Sequence, residues 1–211
     1  MAVCICTWLS FVVMGMSKTK SVLIDTARRL FAQNGIENTT MNEIAIASGK
    51  GRRTLYTYFK NKEDLYSCVV KSELDKLYNS IKAVSELDIP PDDKIIEMIY
   101  THLDVIKKAV LRNGSLRGDF FRDINKVELV RRTFDNKEIR LLYKVLQEGK
   151  DAGIFEIDNV GMLATLIHYA VKGMEVPHIR GAISPDMDKK IYKVYVRKIV
   201  FGALRRKKMK Y

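Results

Sequence analysis

Residues 40–59 read Thr40-Met41-Asn42-Glu43-Ile44-Ala45-Ile46-Ala47-Ser48-Gly49-Lys50-Gly51-Arg52-Arg53-Thr54-Leu55-Tyr56-Thr57-Tyr58-Phe59. Thr40 followed three residues later by Glu43 is a capping-box pattern, with Thr40 as N-cap. It predicts a short helix that ends near Ser48-Gly49. Lys50-Gly51 makes a turn, and a second short helix spans about Arg52 to Phe59. At about 100° per residue, Leu55 and Phe59 point the same way and are expected in the core. Arg53, Thr54 and Thr57 lie opposite. Two short helices joined by a glycine turn in a basic stretch describe a helix-turn-helix at 40–59.

The flanking sequence supports a helical module. Leu23, Ala27, Leu30 and Phe31 share one face of a helix over about Lys20–Asn34, closed by Gly35 in the C′ position. Asn61 caps a further helix from Lys62 to about Val84. Pro90-Pro91 then breaks the chain. Helices are expected over about Asp92–Arg112, Leu116–Thr133, Asn136–Ala152, Asn159–Glu175 and Pro185–Arg206, the last capped by Ser184. No strand-like alternation of useful length and no internal repeat occurs. The fold class is therefore all-α, with about nine helices.

Charge distribution points to an anionic partner. The chain has 211 residues and a net charge of +12. Residues 16–80 carry a net of +4, residues 81–188 a net of −2, and residues 189–211 a net of +10 with no acid among them. A basic module and a basic tail flanking a near-neutral middle suit nucleic acid; a solvated basic face is the bland alternative. At 47% hydrophobic and 29% charged, the chain can bury a core and is not of disordered composition.

Other chemistry is not supported. Three cysteines cannot build a disulfide framework, and only Cys68 lies within the expected fold, so a reducing compartment, the cytoplasm, is expected. His102, His168 and His178 are scattered without partners at ligand spacing, so no metal site and no cofactor are expected. The Gly49–Thr54 stretch lacks phosphate-loop spacing, and no nucleophile or acid–base motif occurs. An enzyme is disfavoured. Ala2–Met14 has 11 apolar residues of 13, too short to span a bilayer as a helix and lacking the flanks of a signal peptide. Residues 1–15 are read as an apolar leader, with translation expected to start at Met14 or Met16 rather than Met1. The rival is a membrane-surface helical protein using this leader and the basic tail; no stable membrane association is expected.

The chain resembles the tetracycline-repressor (TetR) family of bacterial transcription regulators over about Lys18–Val70. The resemblance rests on Ile24, Ala27, Leu30-Phe31, Gly35, Thr40, Ile44-Ala45, Gly49, Thr54-Leu55-Tyr56, Tyr58-Phe59, Lys62 and Leu65. It departs where Lys50 and Gly51 stand in place of the usual valine and serine. The remaining two thirds matches only in layout. The resemblance implies a DNA-binding domain at 16–78 and a ligand-binding and dimerisation domain at 79–211. It implies a homodimeric repressor on a palindromic double-stranded operator, released by a small-molecule effector. An activator, or a regulator with another input, is the alternative.

Residue roles follow from these two readings together. Arg53, Thr54 and Thr57 are candidates for base edges, since arginine can donate twice to guanine and a threonine methyl can touch thymine. Arg52 can serve base or phosphate. Tyr56 and Tyr58 sit on the flanks, and Lys50 adds a cation to the turn. Thr40 and Lys62 stand at helix N-termini, where phosphate is favoured; the family supports Thr40, Tyr56, Tyr58 and Lys62. Tyr100, His102, Phe120, Phe121, Tyr143 and His168 are candidate pocket residues, with ordinary core packing as the alternative. Leu163, Leu166, Ile167 and Ala170, with Ile191, Val194, Tyr195 and Ile199, are the expected dimer seam. The long helix after Asn61 is the expected lever between effector and DNA.

Overall fold

The computed structural model describes the backbone of residues 3–112, 124–182 and 189–204, and side chains there outside 3–17, 124–128, 189–193, 195 and 203. Among the described residues there are eight helices and no strand. They are α1 (Val3–Asn34), α2 (Met41–Ala47), α3 (Arg52–Tyr58), α4 (Lys62–Ser85), α5 (Pro91–Arg112), α6 (Ile124–Asp151), α7 (Val160–Ile179) and α8 (Lys189–Leu204). The fold is all-α, as the sequence predicts.

Several boundaries differ from expectation, each for a local reason. Helix α1 starts at Val3 rather than Lys20. That stretch holds no proline and only one glycine, Gly15, which costs about 1 kcal/mol. The two helices expected around Asn136 are one, because Asn136 is exposed and no proline or glycine breaks 124–148. Helix α7 continues past Glu175 through Pro177 to Ile179. Proline there gives up the bond to the Gly173 carbonyl and crowds that carbonyl, a cost confined to the last turn of the helix. Residues 113–123 and Ser184-Pro185 lie outside the described residues.

The chain forms two compact units, Met1–Ser72 with Leu111–Val130 and Glu73–Val110 with Arg131–Tyr211. In the first, Leu23, Ala27 and Phe31 of α1 are fully buried with Ile44, Leu55, Leu65 and Val69. Phe31 and Tyr66 meet edge to face, with centroids 6.0 Å apart. In the second, α4 contributes Leu74, Leu77 and Ile81, and α5 contributes Ile95, Met98, Ile99 and Leu103. Phe134, Leu142, Val145 and Leu146 of α6 and Ala164 and Val171 of α7 complete that core.

The end of α6 shows how one turn is locked. Gly153 takes φ +69° and stops the helix. The Gly149 carbonyl accepts from the amides of Ile154 (2.9 Å) and Phe155 (3.1 Å). Phe155 folds back over Gly149, so close that a Cβ at 149 would stand 2.2 Å from the ring.

Candidate nucleic-acid interface

The helix-turn-helix is held by paired caps. Thr40 Oγ1 accepts from the Glu43 amide (3.2 Å), and Glu43 Oε2 accepts from the Thr40 amide (2.7 Å) and hydroxyl (2.9 Å). Those bonds, the amide first, hold the Glu43 carboxyl below its ordinary range. Helix α2 buries Met41, Ile44 and Ala45.

The turn is a Schellman motif. Gly49 takes φ +64°, its amide donates to Ile46 O (3.0 Å), and the Lys50 amide donates to Ala45 O (3.1 Å). Closure therefore uses the Lys50 backbone and leaves its side chain spare. The turn therefore tolerates lysine at this position. Gly51 is the N-cap of α3, with extended backbone and its carbonyl bonded to the Leu55 amide (3.1 Å).

Helix α3 is two-faced. Leu55 and Phe59 are buried. Arg52, Arg53, Tyr56 and Thr57 are exposed, while Thr54, Tyr58 and Lys50 are half-buried. The Arg52 guanidinium lies over the Tyr56 ring at 5.9 Å, and the Thr57 hydroxyl donates to Arg53 O (3.0 Å). Tyr58 leans on Phe59, with centroids 6.3 Å apart. The Lys20 ammonium lies over the Phe59 ring, 5.8 Å from its centroid. The structure thus brings Arg52, Arg53, Tyr56 and Thr57 onto one solvent face, and among the described residues Lys50, Arg52 and Arg53 make no ion pair.

Lys62 is placed differently. Its side chain is half-buried, and its ammonium donates to Ile36 O (2.7 Å) and Glu37 O (3.3 Å) in the loop between α1 and α2. It is engaged with protein carbonyls before any phosphate arrives.

In the second unit the candidate pocket residues separate. Tyr143 is exposed, on the outer side of α6, and does not line the interior. Tyr100 is half-buried; Phe120 and Phe121 lie outside the described residues. His102 and His168 are not scattered, as the sequence suggested: both are 1% exposed and share one carboxylate. His102 donates from Nδ1 to Glu138 Oε1 (2.6 Å) and from Nε2 to Glu175 Oε1 (3.0 Å). His168 donates from Nδ1 to Glu138 Oε2 (2.8 Å) and turns Nε2 toward Asp135 Oδ1 (3.4 Å). Arg131 donates to Glu175 (2.8 Å), and Lys172 to Asp135 (2.6 Å).

These seven groups form a line of alternating charge, Arg131–Glu175–His102–Glu138–His168–Asp135–Lys172. Burial alone would keep both histidines neutral, but the Glu138 and Glu175 carboxylates outweigh it and raise His102 to about 9. His168 is raised against burial by Asp135 and Glu138. Burial would raise Glu138 and Glu175 too, yet their partners hold both below the ordinary carboxylate range. The groups run in a line, and among the described residues no three His, Cys, Asp or Glu side chains are disposed to share a metal ion. The sequence reading missed five of the seven. A signal was present: Arg131, Asp135 and Glu138 are spaced i, i+4, i+7 on α6, and His168, Lys172 and Glu175 likewise on α7.

Of the expected dimer seam, Leu166 (58% exposed), Ala170, Val194 and Ile199 (73% exposed) lie on the surface, and Leu163 is half-buried. Ile167 is instead buried within its own unit, because its turn of α7 faces the core. The side chains of Ile191 and Tyr195 lie outside the described residues. Met162 and Tyr169, which the sequence reading did not place in the seam, extend the exposed row on α7. Among the described residues no helix is long and apolar enough to cross a membrane.

Comparison with known proteins agrees with this geometry. Residues 23–68 match the family "Bacterial regulatory proteins, tetR family". An HTH-type transcriptional regulator of Staphylococcus aureus (strain bovine RF122 / ET3-1) is 26% identical over 154 residues, covering 73% of this chain and 80% of that protein. A transcriptional regulator from Cytophaga hutchinsonii superposes with a TM-score of 0.63 at 25% identity, over 74% of this chain and 79% of that one. The fatty acid degradation regulator FadR from Bacillus halodurans shares the fold, with a TM-score of 0.67 at 20% identity over 90% of this chain and 97% of that one. An exposed reading helix on a capped, glycine-turned scaffold, matched over residues 23–68 by the tetR family of bacterial regulatory proteins and similar beyond them to helix-turn-helix transcriptional regulators, gives this chain a helix-turn-helix DNA-binding domain of the tetR type.

Proposed function

We propose that this chain is a ligand-responsive repressor that binds a palindromic operator as a homodimer in the cytoplasm. The observation that carries the DNA half is the solvent face of α3, where Arg52, Arg53, Tyr56 and Thr57 stand together around a buried Leu55 and Phe59. Arg53, Thr57 and the half-buried Thr54 are assigned to base edges. Arg52, Lys50, Tyr56, Tyr58 and Thr40 are assigned to the backbone of the duplex. Residues 16–78 form the reading domain in this scheme, and residues 79–211 the effector and dimer domain.

Homodimerisation is supported by the exposed apolar row Met162, Leu166, Tyr169 on α7 with Val194 and Ile199 on α8. Two copies around a two-fold axis would cover it and present two reading heads. Selection from random duplexes tests the reading. The recovered site should be an inverted repeat with half-sites about 34–36 Å apart, or a multiple. An asymmetric site, or a monomer at micromolar concentration in light scattering, would sink the dimeric operator. An effector that lowers operator affinity must be weakened by operator to the same degree, typically about 5–150-fold.

A further inference from the structure

We infer that one face of α1 carries a binding site for a small organic anion, in a groove that the last residue of α5 also lines. Arg29 and Thr26 take the head of the ligand, a carboxylate or a phosphate. The inference rests neither on the operator nor on the effector assigned to residues 79–211.

The groove has a volume of about 580 Å³, within the roughly 300–1,000 Å³ of small-molecule sites. Helix α1 supplies all of its lining but one residue. Val22, Thr26, Arg29 and Gln33 recur at i, i+4, i+7 and i+11, so they share one face of α1, distinct from the Leu23–Ala27–Phe31 stripe of the core. Arg112, at the end of α5, lines the groove from a second helix. Helix α1 and Arg112 belong to the same compact unit.

Three arginines stand along the groove with one aspartate. Arg28 donates to Asp25 (3.2 Å), which engages that carboxylate within α1. Arg29 is exposed and, among the described residues, makes neither an ion pair nor a side-chain hydrogen bond. Thr26 is only 8% exposed, and among the described residues its hydroxyl has no hydrogen-bond partner either. A polar group so nearly buried and left unpaired is costly, and an oxygen entering the groove would relieve it. Residues three apart on a helix have Cβ atoms about 5–6 Å from each other, so one oxyanion can accept from both Arg29 and Thr26. Val22 and Ala32 add apolar surface, which suits the body of an organic molecule and not a bare ion. The recess also selects against nucleic acid. The phosphates of a duplex reach protruding cations, whereas Thr26 lies within the groove.

The test is a titration of the full chain, followed by NMR of its arginine side-chain and backbone N–H groups at constant ionic strength. The two ligands titrated are inorganic phosphate and phenyl phosphate. Both should displace the Arg29 Nε–H and the Thr26 and Gln33 amides along saturating curves, with phenyl phosphate the tighter of the two. Arg29→Gln should weaken binding of either by about ten-fold or more, read at the Thr26 amide. Thr26→Val should weaken it by about three-fold. Arg140→Gln, at an exposed position of α6, should change nothing. Displacements at Arg29 that grow without saturating, as those at Arg140 should, would mean an ordinary ion atmosphere and overturn the site; this comparison needs no variant to fold. Equal affinities in wild type and Arg29→Gln overturn it as well. Phosphate bound as tightly as phenyl phosphate overturns the assignment to an organic anion. A duplex affinity whose dependence on log salt Arg29→Gln flattens by about 0.9 would give the groove to the DNA backbone instead. Failure of the wild-type protein to bind any duplex would refute the regulator reading, while the titrations would still judge the groove.

Discussion

In the reading module the cations stand outside and the interior is apolar. Arg52 and Arg53 are exposed, and the core beneath them is Leu23, Phe31, Ile44, Leu55 and Phe59. In the second unit a line of seven charged groups runs through the interior, and His102, Glu138 and Glu175 at its centre are all under 5% exposed. The two arrangements serve different ends. Surface charge in high dielectric is cheap to hold and remains available to a partner. Interior charge is stable only while every member stays paired, since a buried ion pair gains little over apolar packing but is costly to break. One region keeps its charges for an encounter; the other uses them up on itself to fix the register of α5, α6 and α7.

The largest test of this contrast removes the centre of the line. Glu138→Ala leaves His102 and His168 each short of a carboxylate. It should destabilise the protein by about 3–5 kcal/mol in urea denaturation. A loss below about 1 kcal/mol would mean that solvent reaches the line and screens it as it does the charges of the reading face.

The pH dependence comes next. His102 is raised from 6.5 to about 9 in the folded chain. Its stabilisation is therefore complete below the unfolded value and is lost as pH rises through the folded one. Stability should fall from just above pH 6.5 to about pH 9, by on the order of 3 kcal/mol in total. Glu138 and Glu175 are lowered, so their share is present above the ordinary carboxylate value and disappears in acid. Maximum stability should lie between these limits. A profile that is flat from pH 6.5 to 9, or one that His102→Asn leaves unchanged, contradicts the pairing.

On the outer face, Arg53→Ala should cost about 1–3 kcal/mol on the selected operator and relax preference at one base position. Its thermal stability should stay within about 0.5 kcal/mol of wild type, as for any exposed position. Operator affinity equal to wild type at matched salt would show that another face of α3 meets the bases. The smallest effect is expected at the cap. Thr40→Ala should lower stability by about 1 kcal/mol. Thr40→Ser should recover most of it, as thermal denaturation of the pair would show.

The reading module is legible in the sequence because its determinants are local. The capping box, the positive-φ glycines and the Leu55–Phe59 stripe each lie within a few residues of what they control. The departure at Lys50 is legible as a departure only; that the Schellman turn closes through backbone and leaves the side chain spare needs coordinates. The line of charges is not legible in the same way. Its links join residues 30 to 73 positions apart, as from Glu138 to His168 and from His102 to Glu175. A heptad-like spacing of mixed charge on one helix also describes an ordinary solvated face, so the pattern alone does not say inside. The surroundings of Lys62 are hidden for a related reason. Its place at a helix N-terminus is visible, but the carbonyls that occupy it come from the far side of α2. The joining of two expected helices into α6 shows the converse, since an asparagine in mid-helix is no break when neither proline nor glycine accompanies it.

The contact between Gly149 and Phe155 bears on how this sequence can change over generations. Alanine at 149 would suit a helix by nearly 1 kcal/mol, yet its methyl would fall 2.2 Å from the Phe155 ring. That step is closed while phenylalanine remains, and shortening residue 155 first would leave a hole where a ring only 3% exposed had been. The two positions must therefore vary in order, with a smaller residue at 155 tolerated before any side chain appears at 149. A lineage that carries alanine at 149 should be found only where 155 is no longer aromatic, and the reverse combination of glycine at 149 with a small 155 marks the intermediate through which the pair must pass.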